Sequence, residues 1–96
     1  MSPQKPALPD GGVRVGSVAI RRPEDGLRFI ARCRDRGVTV CGAEGFLRTG
    51  EAIQPRQEHS CDFEEGDGTA RTEAFLRERL DTDLWFEVVT DDPAWV

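Results

Sequence analysis

Helical periodicity is confined to two stretches of this 96-residue chain, and that scarcity limits what it can fold into. The first opens at Pro23, whose fixed φ suits a first helical position, with Glu24 and Asp25 in the turn where the helix dipole favours acids. Gly37 can end it. Leu27, Ile30 and Ala31 form its expected buried stripe, with Phe29 and Cys33 on the flank. The second runs from a capping Thr69 to about Leu80, with Phe75, Leu76 and Leu80 at helical spacing, Thr72 or Arg79 alongside, and Asp81-Thr82-Asp83 as the break. Everything else patterned reads as strand. Two helices are too few to cover both faces of a sheet, so the expected fold is α+β: a two-layer sandwich, its sheet mixed or mainly antiparallel, with both helices packed on one face.

The strand segments can be placed in turn. Val13, Val15, Val18 and Ile20 alternate with small or polar residues, but their parity changes at Gly16-Ser17, which predicts one strand bulged there. Val38 to Cys41 predicts a short strand, followed by Gly42-Ala43-Glu44-Gly45, where the chain can turn or run close to a neighbour. Phe46-Leu47-Arg48 and Glu51-Ala52-Ile53 flank Thr49-Gly50 as a hairpin, and Pro55 limits how far the second arm can serve as a central strand. Gln57 to Phe63 returns as an extended segment. Leu84 to Thr90 is apolar on both faces, which predicts a central strand. Residues 1–12, with three prolines and Gly11-Gly12, read as a flexible leader, and residues 13–96 as a single domain.

Charge is divided unevenly. Residues 1–48 hold nine Lys/Arg and five Asp/Glu, residues 49–96 four and thirteen, so the halves carry +4 and −9 and sum to the net −5. Thirteen acids in half a small domain exceed what internal pairing can absorb, and the surplus predicts a negative surface suited to a basic partner. The acids concerned are Asp62, Glu64, Glu65 and Asp67, then Asp81 and Asp83, then Asp91 and Asp92, with Trp85 and Trp95 near them as aromatic contacts, although Trp85 also reads as a core residue. No apolar run reaches a membrane span and no secretory layout opens the chain. Three cysteines, Cys33, Cys41 and Cys61, cannot all pair, which favours free thiols in a reducing cytoplasm.

Motifs for chemistry are sparse. His59 and Cys61 share one face of an extended segment, the spacing of a thiol–imidazole pair, although such dyads usually draw on separate elements. Glu58, His59, Cys61 and Asp62 are liganding types too crowded along one strand to surround an ion, so no metal is expected. A sheet could bring Asp62 against Glu44 or Glu87, but with 18 acids in 96 residues such pairs arise by chance. The glycine-rich stretches lack the pattern of a phosphate cradle, and no cofactor is implied. Arg28, Arg32 and Arg36, joined by Arg21 and Arg22, could gather phosphates, yet the plainer reading is a solvated helix face paired with Glu24, Asp25 and Asp35.

Gly42-Ala43-Glu44-Gly45-Phe46, then Pro55, Asp62-Phe63 and Leu84-Trp85-Phe86-Glu87, together resemble a pattern in small bacterial proteins, and the build is similar to immunity proteins that neutralise toxins. The resemblance implies a cytoplasmic, non-enzymatic inhibitor that occludes a basic partner, often a nuclease, without contacting nucleic acid itself. Phage-encoded inhibitors of nucleic-acid-handling complexes predict the same charge layout. The alternatives are a small enzyme or small-molecule binder using Cys61 and His59, and a homo-oligomer subunit joined through a sheet edge or Trp95.

Overall fold

In a computed structural model, which describes residues 8, 11–63, 67–92 and 95, the chain forms two helices and five strands in antiparallel sheets, an α+β fold. Strands β1 (Val13–Val15) and β2 (Val18–Ile20) form a hairpin. Helix α1 (Pro23–Arg36) follows, then the long strands β3 (Val40–Thr49) and β4 (Ala52–Asp62), helix α2 (Thr69–Arg77) and strand β5 (Trp85–Thr90). The three later strands pair in the order β4-β3-β5. A reciprocal pair of backbone bonds joins Arg21, just past β2, to Phe86 at 2.8 and 2.7 Å, and so ties the hairpin to the outer side of β5.

The core lies between the helices and one sheet face. Phe29, Ile30 and Cys33 of α1 and Leu76 of α2 meet Val40 and Ala43 of β3 and Leu84, Phe86 and Val88 at β5. Phe75 packs edge-on to Phe86 at 5.9 Å. Each large apolar side chain so buried contributes roughly 1.5–3 kcal/mol to stability. Arg21 is buried as well, its guanidinium 3.9 Å from the centre of the Phe29 ring.

Several expectations are corrected here. The parity change at Gly16-Ser17 marks a two-residue turn between paired strands, with Gly16 at φ 62°, and not a bulge in one strand. Of the two readings of 42–45, the turn falls and the close approach holds: the segment is the interior of a single β3. A Cβ on Gly42 would lie 2.2 Å from the Cys61 carbonyl oxygen, and one on Gly45 would lie 2.4 Å from that of His59. The β3–β4 turn is Gly50-Glu51, one residue later than expected, because Thr49 still pairs with Ala52. β3 is the central strand, whereas β5 has a full ladder on one side and the Arg21 bridge on the other.

The helices differ in detail too. The buried side of α1 is Pro23, Gly26, Phe29, Ile30 and Cys33, which leaves Leu27 half-buried and Ala31 exposed. Gly26 sits on this face because a Cβ there would press within 2.9 Å of Leu76 Cδ1. Gly37 ends α1 in the left-handed region at φ 70°, as expected. α2 ends at Arg77 and leaves Leu80 exposed. Thr69 is its first helical residue and not its cap: the Asp67 carboxylate receives the Thr69 backbone N–H at 2.9 Å and its hydroxyl, while that hydroxyl oxygen accepts from Val40 N at 3.2 Å.

Candidate functional site

Both helices lie against one face of the β4-β3-β5 sheet, and the opposite face carries the charges and aromatics of interest. Along a strand, alternate side chains share a face. Ala43 and its partners Val88 and Cys61 point to the core side, so Glu44, Phe46 and Arg48 of β3 share the other with Trp85, Glu87 and Val89 of β5. The register sets Glu44 directly opposite Glu87, Phe46 opposite Trp85 and Gly42 opposite both Val89 and Asp62. This face is charge-segregated, with carboxylates toward the end where β3 begins and guanidiniums toward the end where β5 begins.

At the acidic end, Glu44 is exposed and Glu87 half-buried, and the two share a hydrogen bond. Desolvation, followed by the neighbouring Glu44 charge and that bond, pushes the Glu87 carboxyl above the usual carboxylate range, so Glu87 is the member that holds a proton more readily. A cleft of about 260 Å³ beside them is lined by Cys41, Gly42, Glu44, Cys61, Asp62 and Val89. Asp91 lies at the same end, where its carboxylate accepts from Thr39 N at 3.2 Å.

At the opposite end Trp85 is flanked by two arginines, Arg48 at 4.7 Å and Arg22 at 5.9 Å from its ring centre. Each is steered by backbone oxygens: Arg22 donates to the carbonyls of Leu84 at 2.9 Å and Thr82, and Arg48 donates to that of Gly50 at 3.0 Å. Cation–aromatic stacking of this kind holds a guanidinium in place without neutralising it. Among the described residues, no cation forms an ion pair with Glu44, Glu87, Asp62, Asp81 or Asp83, and no carboxylate pairs with Arg22 or Arg48. The helical charges behave differently. Asp25 pairs with Arg28, and Glu73 with Arg34 and with Arg77 at 3.3 Å.

The acids expected to make one docking patch are therefore divided. Asp62, Asp91 and Asp92 gather where β4 and β5 end, and Asp67, engaged at the start of α2, lies near them through the Thr69–Val40 contact. Asp81 and Asp83 are exposed in the connection before β5, about 20 Å away along that strand. Trp85 stands beside Arg22 and Arg48, with Asp83 two residues before it in the chain. Glu64 and Glu65 lie outside the described residues. The arginine stripe of α1 is dispersed as well: Arg28 and Arg34 are paired, Arg32 stacks on Trp95 at 4.9 Å, Arg21 is buried and Arg22 turns to Trp85.

His59 and Cys61 each have a partner other than one another. Between Cys61, opposite Ala43, and Arg56, opposite Gly45, four residues of β4 face the single Glu44, and this wide bulge displaces His59 toward α2. Ser60 closes the bulge by accepting from Gly45 N at 3.2 Å and donating to the Arg56 carbonyl at 3.1 Å. His59 Nδ1 accepts from Arg79 Nε at 3.2 Å, a bond that requires an unprotonated acceptor nitrogen. Cys61 turns to Thr72 instead, and burial pushes its thiol up, away from the thiolate a nucleophile needs. Among the described residues, no three His, Cys, Asp or Glu side chains converge as metal ligands.

Trp95, one of two contacts offered by the homo-oligomer alternative, is engaged within the molecule. Its indole Nε1 donates to Cys33 Sγ at 3.2 Å, and its ring lies 6.5 Å from that of Phe29. Sequence reasoning missed Arg48, whose signal is the Phe46/Arg48 alternation once Trp85 is set opposite Phe46, and it read Arg22 with the α1 stripe instead of with Trp85. Among the described residues, no helix is long and apolar enough to cross a membrane. The chain matches no family model, no curated protein and no solved structure.

Proposed function

We propose that this protein is a non-enzymatic binding module, a stoichiometric inhibitor that covers a basic surface of a partner such as a toxin, a nuclease or a nucleic-acid-handling complex. The observation that carries this reading is the difference between two groups of acids. Asp25 and Glu73 are matched by arginines on the helices, while Glu44, Glu87 and Asp62 lie together at one end of the sheet with no matching cation among the described residues. A cluster of like charge lowers stability unless a ligand of opposite charge relieves it, and it accelerates encounter with such a ligand. The contact assigned to the partner is this end of the sheet, with Asp62 and Asp91 at its rim. The raised pKa of the Cys61 thiol and the bond of His59 to Arg79 support binding over turnover.

The test is capture of partners from the native host by the wild type and by Asp62→Lys/Asp91→Lys, at low and high salt. A captured protein is then purified and assayed with the inhibitor at increasing molar ratio. The reading expects loss of the partner's activity at a one-to-one ratio, association at least tenfold slower for the double variant, and a weakened salt dependence. A partner that retains full activity in the complex, or one bound equally well by the variant, would refute it.

A further inference from the structure

The bulge of β4 opposite Glu44 is pinned at two points, and the pins differ in chemical kind. Ser60 accepts from Gly45 N at 3.2 Å and donates to the Arg56 carbonyl at 3.1 Å; neither a hydroxyl nor a peptide group titrates near neutrality. His59, the chain's single histidine, reaches instead to the turn that follows α2, where its Nδ1 accepts from Arg79 Nε at 3.2 Å. We infer that His59 and Arg79 form an acid-released latch, which holds the β4 bulge against the end of α2 at neutral pH and frees it when the imidazole takes up a proton.

A ring nitrogen that accepts a hydrogen bond carries no proton, and a guanidinium gives none up, so this bond exists in one protonation state only. A proton on Nδ1 turns the acceptor into a donor and sets two cations in contact. Imidazole is the side chain that ordinarily makes such an exchange between about pH 5 and 8. Arg79 has little freedom to withdraw: its NH1 group donates to the Phe75 carbonyl at 3.1 Å, and its guanidinium lies 3.7 Å from the centre of the Phe75 ring, which itself packs edge-on to Phe86. The strand side of the latch is therefore the side that gives way. The surrounding groups do not compensate the new charge. On β4, Arg56 stands opposite Gly45 and adds a second cation, Glu58 is exposed, and the Cys61 thiol turns to Thr72 of α2. After α2, the exposed Glu78 is engaged with Arg79 itself at 3.5 Å. β3 and β5 present Gly45 and Phe86 there, neither of them charged. The freed stretch runs directly into Cys61 and Asp62 on the wall of the cleft beside Glu44, so acid loosens that wall while the helices keep their packing. The latch does not depend on the inhibitor reading, and it is measured on the purified chain alone.

The experiment is amide hydrogen exchange followed by NMR at about pH 7.5 and pH 5, each rate divided by that of an unstructured peptide at the same pH, for wild type, His59→Asn and Arg79→Met. In wild type the protection of the Gly45 amide, which the Ser60 pin supplies, should fall at least tenfold on acidification. The Phe86 amide, bonded to the Arg21 carbonyl at 2.7 Å, should not fall, which separates local opening from global unfolding. Asparagine offers Arg79 a carbonyl oxygen that takes no proton in this range, so His59→Asn should keep Gly45 protected at pH 5. Arg79→Met retains the packing on Phe75 without a donor; its Gly45 amide should be weakly protected at both pH values, and it decides the matter if the asparagine variant does not fold. A wild-type Gly45 amide equally protected at both pH values, a Phe86 amide that loses protection in parallel, a His59→Asn chain that opens in acid as wild type does, or an Arg79→Met chain that still responds to pH overturns the proposal.

Discussion

Glu44 and Glu87 stand directly opposite one another on β3 and β5 and share a hydrogen bond between two acids. Because Glu87 is held above the ordinary glutamate range, the folded chain binds more proton than the unfolded chain just above pH 4.5, and stability falls as pH rises through that window. Glu87→Gln removes the like-charge opposition and should stabilise the monomer at pH 7 by about 0.5 kcal/mol, within the range of cross-strand pairs. The gain should vanish by about pH 3, where Glu87 of the wild type carries its proton and opposes no charge. Urea denaturation of dilute protein at the two pH values checks this.

Trp95 covers Cys33 at the margin of the core, with Arg32 stacked over the indole. Trp95→Ala should lower stability by about 2 kcal/mol, less than a fully buried tryptophan would cost. It should also raise the rate at which a maleimide labels Cys33 under native conditions by tenfold or more. Mass spectrometry of the labelled peptides reads both the rate and the site.

The glycines of β3 should be far less replaceable than the glycine of its turn. At Gly42 and Gly45 an added methyl group meets backbone oxygen, which cannot move aside, so alanine should cost about 3 kcal/mol at each. At Gly50, φ is 61° and nothing lies within reach of a Cβ, so alanine meets only the conformational penalty, about 1 kcal/mol. Denaturant midpoints of the three variants give the ranking.

Cys61 should behave as a sluggish thiol. Its raised pKa leaves little thiolate at neutral pH, so iodoacetamide should label it more slowly than a free small-molecule thiol at pH 8. The rate should still be climbing above pH 9. A labelling rate that levels off below pH 8 would instead mark an activated cysteine.

The two-layer design was legible because so few stretches carry helical period, and Pro23 and Gly37 announce the limits of α1 as reliably as any residues in the chain. What was not legible depended on register. A parity change at Gly16-Ser17 is compatible with either a bulge or a turn, and only the pairing of Val15 with Val18 separates them. The run Gly42–Gly45 is compatible with a turn or with close approach to a neighbour, and only the pairing decides for close approach, with the adjacent backbone so near that larger residues cannot enter. The acids were identified correctly as a surplus, but their division between the two ends of β5 and the placement of arginines at Trp85 arise from strand pairing between residues about 40 apart in sequence.

The wide bulge in β4 has a further consequence for the life of the protein in a crowded cell. An eleven-residue strand on the outside of a sheet is a template on which other chains can grow into fibrils. Here Pro55 removes one donor from that template, and residues 57–60 swing the backbone out of line, so no long straight rim is offered to an incoming strand.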